Sequence, residues 1–76
     1  MSRLPIISSK DMVKILKLLG FIETRQNGSH KIYKHKDGRT VIIPFHNEDL
    51  GRGLIRQVLT EIEMSIKEYI DIKKNI

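Results

Sequence analysis

The chain is 76 residues long, contains no cysteine and carries a formal charge of +5, with 39% of its residues hydrophobic and no tryptophan. That length supports one domain around one small core, and without cysteine neither a disulfide nor a thiolate-held metal can staple it. The opening Met1-Ser2-Arg3-Leu4-Pro5-Ile6-Ile7 has too short an apolar run for a signal peptide and no 18-residue apolar span follows, which points to the cytoplasm and excludes a membrane-crossing helix.

Residues 8 to 19 carry the pattern of an amphipathic helix. Ser8 stands as N-cap with Asp11 three residues on, and Met12, Ile15, Leu16 and Leu19 share one face. Lys10, Lys14 and Lys17 share another, and Gly20 supplies the stop. Phe21 to Gln26 and Ser29 to His35 are strand candidates joined at Asn27-Gly28, a strong hairpin signal. Lys36-Asp37-Gly38-Arg39 is a second turn, and Thr40 to Phe45 is a third strand rich in β-branched residues, with Pro44 suited to an edge or end.

After the polar loop His46 to Gly51, a helix from about Gly53 carries Leu54, Ile55, Val58, Leu59 and Ile62 on one face. Ser65-Ile66-Lys67-Glu68 is a capping box opening a last helix through Ile72, and Lys73 to Ile76 reads as a frayed tail. A helix, three strands and further helices predict an α+β fold, a three-stranded antiparallel meander with helices on one face.

The positive charge is concentrated in the first part of the chain. Residues 1 to 47 hold nine Lys/Arg against three acids, a balance of +6, whereas residues 48 to 76 hold five against six, a balance of −1. A basic surface of this kind suits a polyanion, and in the cytoplasm nucleic acid is the first candidate. A plainly solubilising surface is the alternative.

Within the basic part, Gly28-Ser29-His30 places a titratable side chain at the mouth of a turn. Imidazole alone among unperturbed side chains exchanges protons near neutral pH, so His30 is the first candidate for chemistry. Alternation along the strand puts His30, Ile32 and Lys34 on one face and Lys31, Tyr33 and His35 on the other. A two-residue turn at Asp37-Gly38 sets His30 opposite Phe45 and Ile32 opposite Ile43, which makes the His30 face the core face, with His30 at its rim. Lys31, Tyr33, His35, Thr40 and His46 then face solvent. A three-residue loop moves the register by one and brings His46 opposite His30.

No metal is expected, because His30 and His35 lie on opposite faces of one strand and no cysteine completes a ligand set. RNA cleavage needs none. The 2′-hydroxyl is an internal nucleophile, and a protein has only to move two protons and stabilise charge on the phosphorane. His30 suits a proton transfer, Arg25, Lys31, Lys34 and Arg39 are candidates to neutralise phosphate, and Tyr33 on an open face is a candidate to stack a base. From these residues alone, the chain is a small basic α+β domain with one histidine placed for chemistry.

Several segments in a fixed order add to this: Leu4-Pro5-Ile6-Ile7-Ser8-Ser9-Lys10, Leu19-Gly20-Phe21, Gly28-Ser29-His30 with Tyr33, Asp37-Gly38-Arg39, and Ile43-Pro44 followed by His46. With Leu50, Gly53, Ile55 and Ser65 to Tyr69 they resemble the HicA family of toxin mRNA interferases over residues 4 to 70. The resemblance implies a double-stranded-RNA-binding-domain-like α-β-β-β-α fold and metal-independent endonucleolytic cleavage of mRNA, without a cofactor. It implies His30 as the catalytic residue, Gly28 and Ser29 as the loop presenting it, and a HicB-like antitoxin as the neutralising partner. Two stretches depart from the family's pattern. Leu54 follows Gly53 where a threonine or similar polar residue is usual, and Glu61-Ile62-Glu63-Met64 lacks the usual Ala-Gly turn. A non-catalytic RNA-binding module of the same fold, with His30 structural, is the alternative, and a protein-interaction domain without RNA is a third.

Overall fold

The computed structural model describes residues 4–46 and 48–76. In chain order the elements are β1 (Ile7–Ser8), α1 (Ser9–Leu18), β2 (Ile22–Asn27), β3 (His30–Lys34), β4 (Thr40–Pro44), β5 (Asp49–Leu50), α2 (Arg52–Glu61) and α3 (Ile66–Lys73). The main sheet is an antiparallel meander in the order β2-β3-β4, and the α-β-β-β-α arrangement is that of a double-stranded-RNA-binding domain.

Helix α1 begins where its local chemistry dictates. The Ser8 hydroxyl accepts the Asp11 amide at 3.1 Å, satisfying a donor that the helix cannot. It ends at Gly20, whose φ of +94° turns the chain left-handed so that the Gly20 and Phe21 amides return to the Lys17 and Leu16 carbonyls. A β-carbon on Gly20 would sit 3.2 Å from His35 Nε2, so this turn is also a close approach between helix end and sheet.

Met12, Ile15 and Leu16 of α1 and Ile55, Val58 and Leu59 of α2 enclose the core from one side, and Tyr33, Val41 and Ile43 close it from the sheet. Both helices pack on that single face of the sheet. The opposite face is open: Ile22 is 69% and Ile42 50% exposed, although both are large and apolar.

This sidedness overturns the face assignment expected from the sequence. The observed register pairs His30 with Pro44, Ile32 with Ile42 and Tyr33 with Val41. The cause lies in the second hairpin. His35 and Arg39 close it, with the His35 amide donating to the Arg39 carbonyl at 2.9 Å, so Lys36-Asp37-Gly38 is a three-residue loop with Gly38 at φ +101°. The strand thus slips in the direction opposite to the one that would have matched His46 with His30. Lys31, Tyr33 and His35 are on the helix side, and His30, Ile32 and Lys34 face outward.

A short antiparallel pairing of β1 with β5, Ile7 opposite Leu50, makes a strand of part of what read as the polar loop His46 to Gly51. It ties the first segment to the entry of α2, and Arg52 Nε reinforces it by donating to the Leu4 carbonyl at 2.9 Å. The end of the chain is less frayed than its composition suggests. Helix α3 runs to Lys73, and the Asn75 side chain donates to the Asp71 carbonyl at 2.9 Å.

Helix α2 ends in the same way as α1 but without a glycine. Glu63 takes φ of +59°, and the Glu63 and Met64 amides return to the Thr60 and Leu59 carbonyls. A side chain in this conformation costs about 1–2 kcal/mol, partly offset in glycine by its freer unfolded chain. Glu63→Gly should therefore raise stability by about 0.5–1 kcal/mol in urea denaturation, with an unchanged denaturant slope.

Helix α3 begins with a complete capping box, Ser65 with Glu68, and buries Tyr69, whose hydroxyl donates to the Pro5 carbonyl at 2.6 Å. Burial pushes the Tyr69 phenol up to about 12. A tyrosine in the unfolded chain ionises near pH ~10, so its share of stability is intact below that pH and disappears as pH rises through the folded value. Unfolding measured across alkaline pH should show this loss, and Tyr69→Phe should flatten it. At neutral pH the same variant should cost about 1 kcal/mol for the missing hydrogen bond.

Candidate nucleic-acid interface

His30 opens β3 directly after a two-residue loop, Gly28-Ser29, flanked by the pair Asn27 and His30. The turn lies one residue later than Asn27-Gly28 suggested. Gly28 takes φ of +65° while Ser29 has no positive φ, and a glycine in the first position suits a two-residue turn that matches the twist of the strands. Both loop carbonyls are occupied: Gln26 Nε2 donates to that of Gly28 at 2.9 Å and the Phe45 amide to that of Ser29 at 2.6 Å. The loop carrying His30 is held from both neighbouring strands.

The end of β4 beside it is fixed in turn. Ser9 is buried at the start of α1, and its hydroxyl donates to the Pro44 carbonyl at 2.8 Å. Pro44 stands opposite His30. Proline gives no amide to the ladder, which suits its place on an edge strand.

Strand β2 is bulged. Glu23 pairs with Tyr33 but Arg25 pairs with Ile32, so Thr24 is an extra residue, and its hydroxyl donates to the Ile32 carbonyl at 3.2 Å. Beyond the bulge, Arg25 and Asn27 share the outward face with His30, Ile32 and Lys34. His30, Arg25 and Lys34 are exposed there. This surface is an open sheet face. A groove of about 400 Å³, lined by Lys14, Lys17, Leu18, Asn75 and Ile76, lies away from it.

Three residues expected among the RNA contacts lie elsewhere. Tyr33 is fully buried, and its hydroxyl reaches Glu23 at 3.5 Å. Burial first, and the Glu23 carboxylate second, raise its pKa. With its ring in the core it cannot stack a base. Lys31 lies on the same helix side, its ammonium 4.0 Å from the Phe45 ring centroid and 3.8 Å from Glu23.

Arg39 sits at the far end of the sheet. Five residues at about 3.4 Å each separate its partner His35 from His30, and it too faces the helix side. Its guanidinium donates to Asp37 at 2.8 Å and to the Ile62 carbonyl, and lies over the Phe21 ring. The Arg39 amide, and beyond it the guanidinium, hold the Asp37 carboxyl below its ordinary range. His35 completes this cluster, edge-on to Phe21 with ring centroids 5.1 Å apart. Arg39 is thus a brace between the second hairpin and the end of α2.

Of the remaining candidates, Arg25 and Lys34 share the His30 face. Asn27, which the sequence placed in the turn, is the residue directly opposite His30. Reading the loop as Gly28-Ser29 would have found it. The Thr24 bulge has no comparable signal, since an extra residue inside the all-polar run Glu23 to Asn27 leaves its alternation unreadable.

The family described as HicA toxin of bacterial toxin-antitoxin matches residues 9–64 of the chain. No curated protein matches it.

Removing the brace should cost stability without touching the outward face. Arg39→Ala leaves the partly buried Ile62 carbonyl unpaired, for a loss of about 1–3 kcal/mol in thermal or urea unfolding. Lys34→Ala, at an exposed position, should stay within about 0.5 kcal/mol of the parent.

Proposed function

Because this chain belongs to the HicA toxin family, one side of a bacterial toxin-antitoxin pair, we propose that it is a metal-independent endoribonuclease that cleaves mRNA through His30 and is neutralised by a HicB-like antitoxin. The observation that carries this reading is the placement of His30: exposed, at the end of a strand held by its neighbours, on an open face with Arg25 and Lys34.

The chemistry asks little of the protein beyond this. As the 2′-oxygen bonds to phosphorus, its proton must leave, and as the 5′-oxygen departs it must gain one, giving a 2′,3′-cyclic phosphate and a 5′-hydroxyl. An imidazole performs either transfer near neutral pH, worth about 10²- to 10⁴-fold. Gly28 and Ser29 present that imidazole at the rim, where a phosphodiester reaches it without entering a pocket. Arg25 and Lys34 meet the strand's phosphates. An uncovered face with exposed Ile22 and Ile42 gives an extended polymer room to lie, and gives an antitoxin an apolar and basic area to cover.

The test is cleavage of a defined RNA by protein freed of its antitoxin, with chelator present. The parent should produce fragments ending in 2′,3′-cyclic phosphate. His30→Ala should lose at least about 10²-fold in rate while retaining RNA affinity and its melting temperature. Intact RNA bound equally by both proteins would favour a non-catalytic RNA-binding module.

A further inference from the structure

We propose that Arg25, turned onto the His30 face by the β-bulge at Thr24, is a catalytic residue that neutralises the reacting phosphate. This rests on the ribonuclease reading above and assigns a specific role to a group which the sequence offers only as one of several phosphate contacts.

The bulge decides the matter. Ahead of it, Glu23 faces the helix side, where its carboxylate lies 3.5 Å from the Tyr33 hydroxyl and 3.8 Å from the Lys31 ammonium. In an unbulged strand Arg25, two residues on, would share that side. The extra residue reverses the alternation, so Arg25 pairs with Ile32 and Asn27 with His30, both outward. Bulges commonly re-aim a side chain next to a functional site. Here the Thr24 hydroxyl, bonded to the Ile32 carbonyl at 3.2 Å, ties the bulge to the strand that carries His30.

The resulting geometry fits a single phosphate. Arg25 is one diagonal step from His30 across the β2-β3 pair, about 7–8 Å between backbones, a gap that long side chains span. A guanidinium on one side and an imidazole on the other leave room for a phosphodiester between them. The planar fork of arginine matches two phosphate oxygens and keeps its charge throughout the reaction. Among the described residues no carboxylate pairs with Arg25, whereas Glu23 takes Lys31 and Asp37 takes Arg39. Lys34 is four residues along the strand from His30, about 13 Å away, and meets a neighbouring phosphate instead. Arg25 is therefore the one cation of the Arg25, Lys31, Lys34 and Arg39 set placed to act on the phosphate that His30 serves.

A group that binds the charge developing in the transition state changes the rate at saturation, whereas a group that binds every phosphate alike changes affinity. Single-turnover cleavage with protein in excess separates the two. Arg25→Ala and Arg25→Gln should each lower the saturating rate by about 10²-fold, with RNA affinity reduced far less and melting temperature unchanged. Arg25→Lys should recover part of the rate. Arg56→Ala, which removes an equal charge from the exposed side of α2, should change neither quantity. If His30→Ala is inactive while both Arg25 variants cleave at the parent's saturating rate, or lose affinity alone, the role of Arg25 is overturned and the ribonuclease reading stands. If the parent does not cleave, or His30→Ala cleaves as well as the parent, the ribonuclease reading falls, and this role with it.

Discussion

Burial of the Tyr33 side chain is the constraint from which the rest of this structure follows. A strand has a period of two, so anchoring one residue in the core decides the side of every other residue in it. With Tyr33 under the helices beside Val41 and Ile43, His30, Ile32 and Lys34 have no choice but to face outward. The aromatic ring that looked suited to stacking a base serves as the fixed point that exposes the histidine.

Around that point the chain spends its polar groups on holding the sheet ends. At one end, Gln26 and the Phe45 amide take the carbonyls of the Gly28-Ser29 loop, and Ser9 takes that of Pro44. At the other, Asp37, Arg39 and His35 join the second hairpin to Phe21 and to the Ile62 carbonyl. The net positive charge is thus divided by role. Lys31 and Arg39 are absorbed into structure on the helix side, and Arg25 and Lys34 remain on the open face.

In a chain of 76 residues, with a core this small, one face of the sheet is all the helices can cover. The uncovered face keeps Ile22 and Ile42 exposed beside basic groups. In the function proposed above, this uncovered face, partly apolar and positively charged, is the one that meets both target and antitoxin.

The amino-acid sequence by itself determined the elements and their ends. Helix periodicity, the Ser8 and Ser65 caps, the Gly20 stop and the Gly28 and Gly38 turns are local features, set by neighbours within a few residues, and each lies within about a turn of where it was read. The order of segments around Gly28-Ser29-His30 also made the family legible. Only the tertiary structure decided which face of β3 was inside, because Ile32 was as apolar as Tyr33, and a one-residue change in the second loop exchanges which of the two lies beside Val41 and Ile43. It alone decided that Thr24 is a bulge, since the polar run Glu23 to Asn27 on an exposed edge strand has no hydrophobic pattern to betray an extra residue. Those long-range choices, made by packing against α1 and α2, selected Arg25 and Lys34 and removed Lys31, Tyr33 and Arg39 from the surface that His30 occupies.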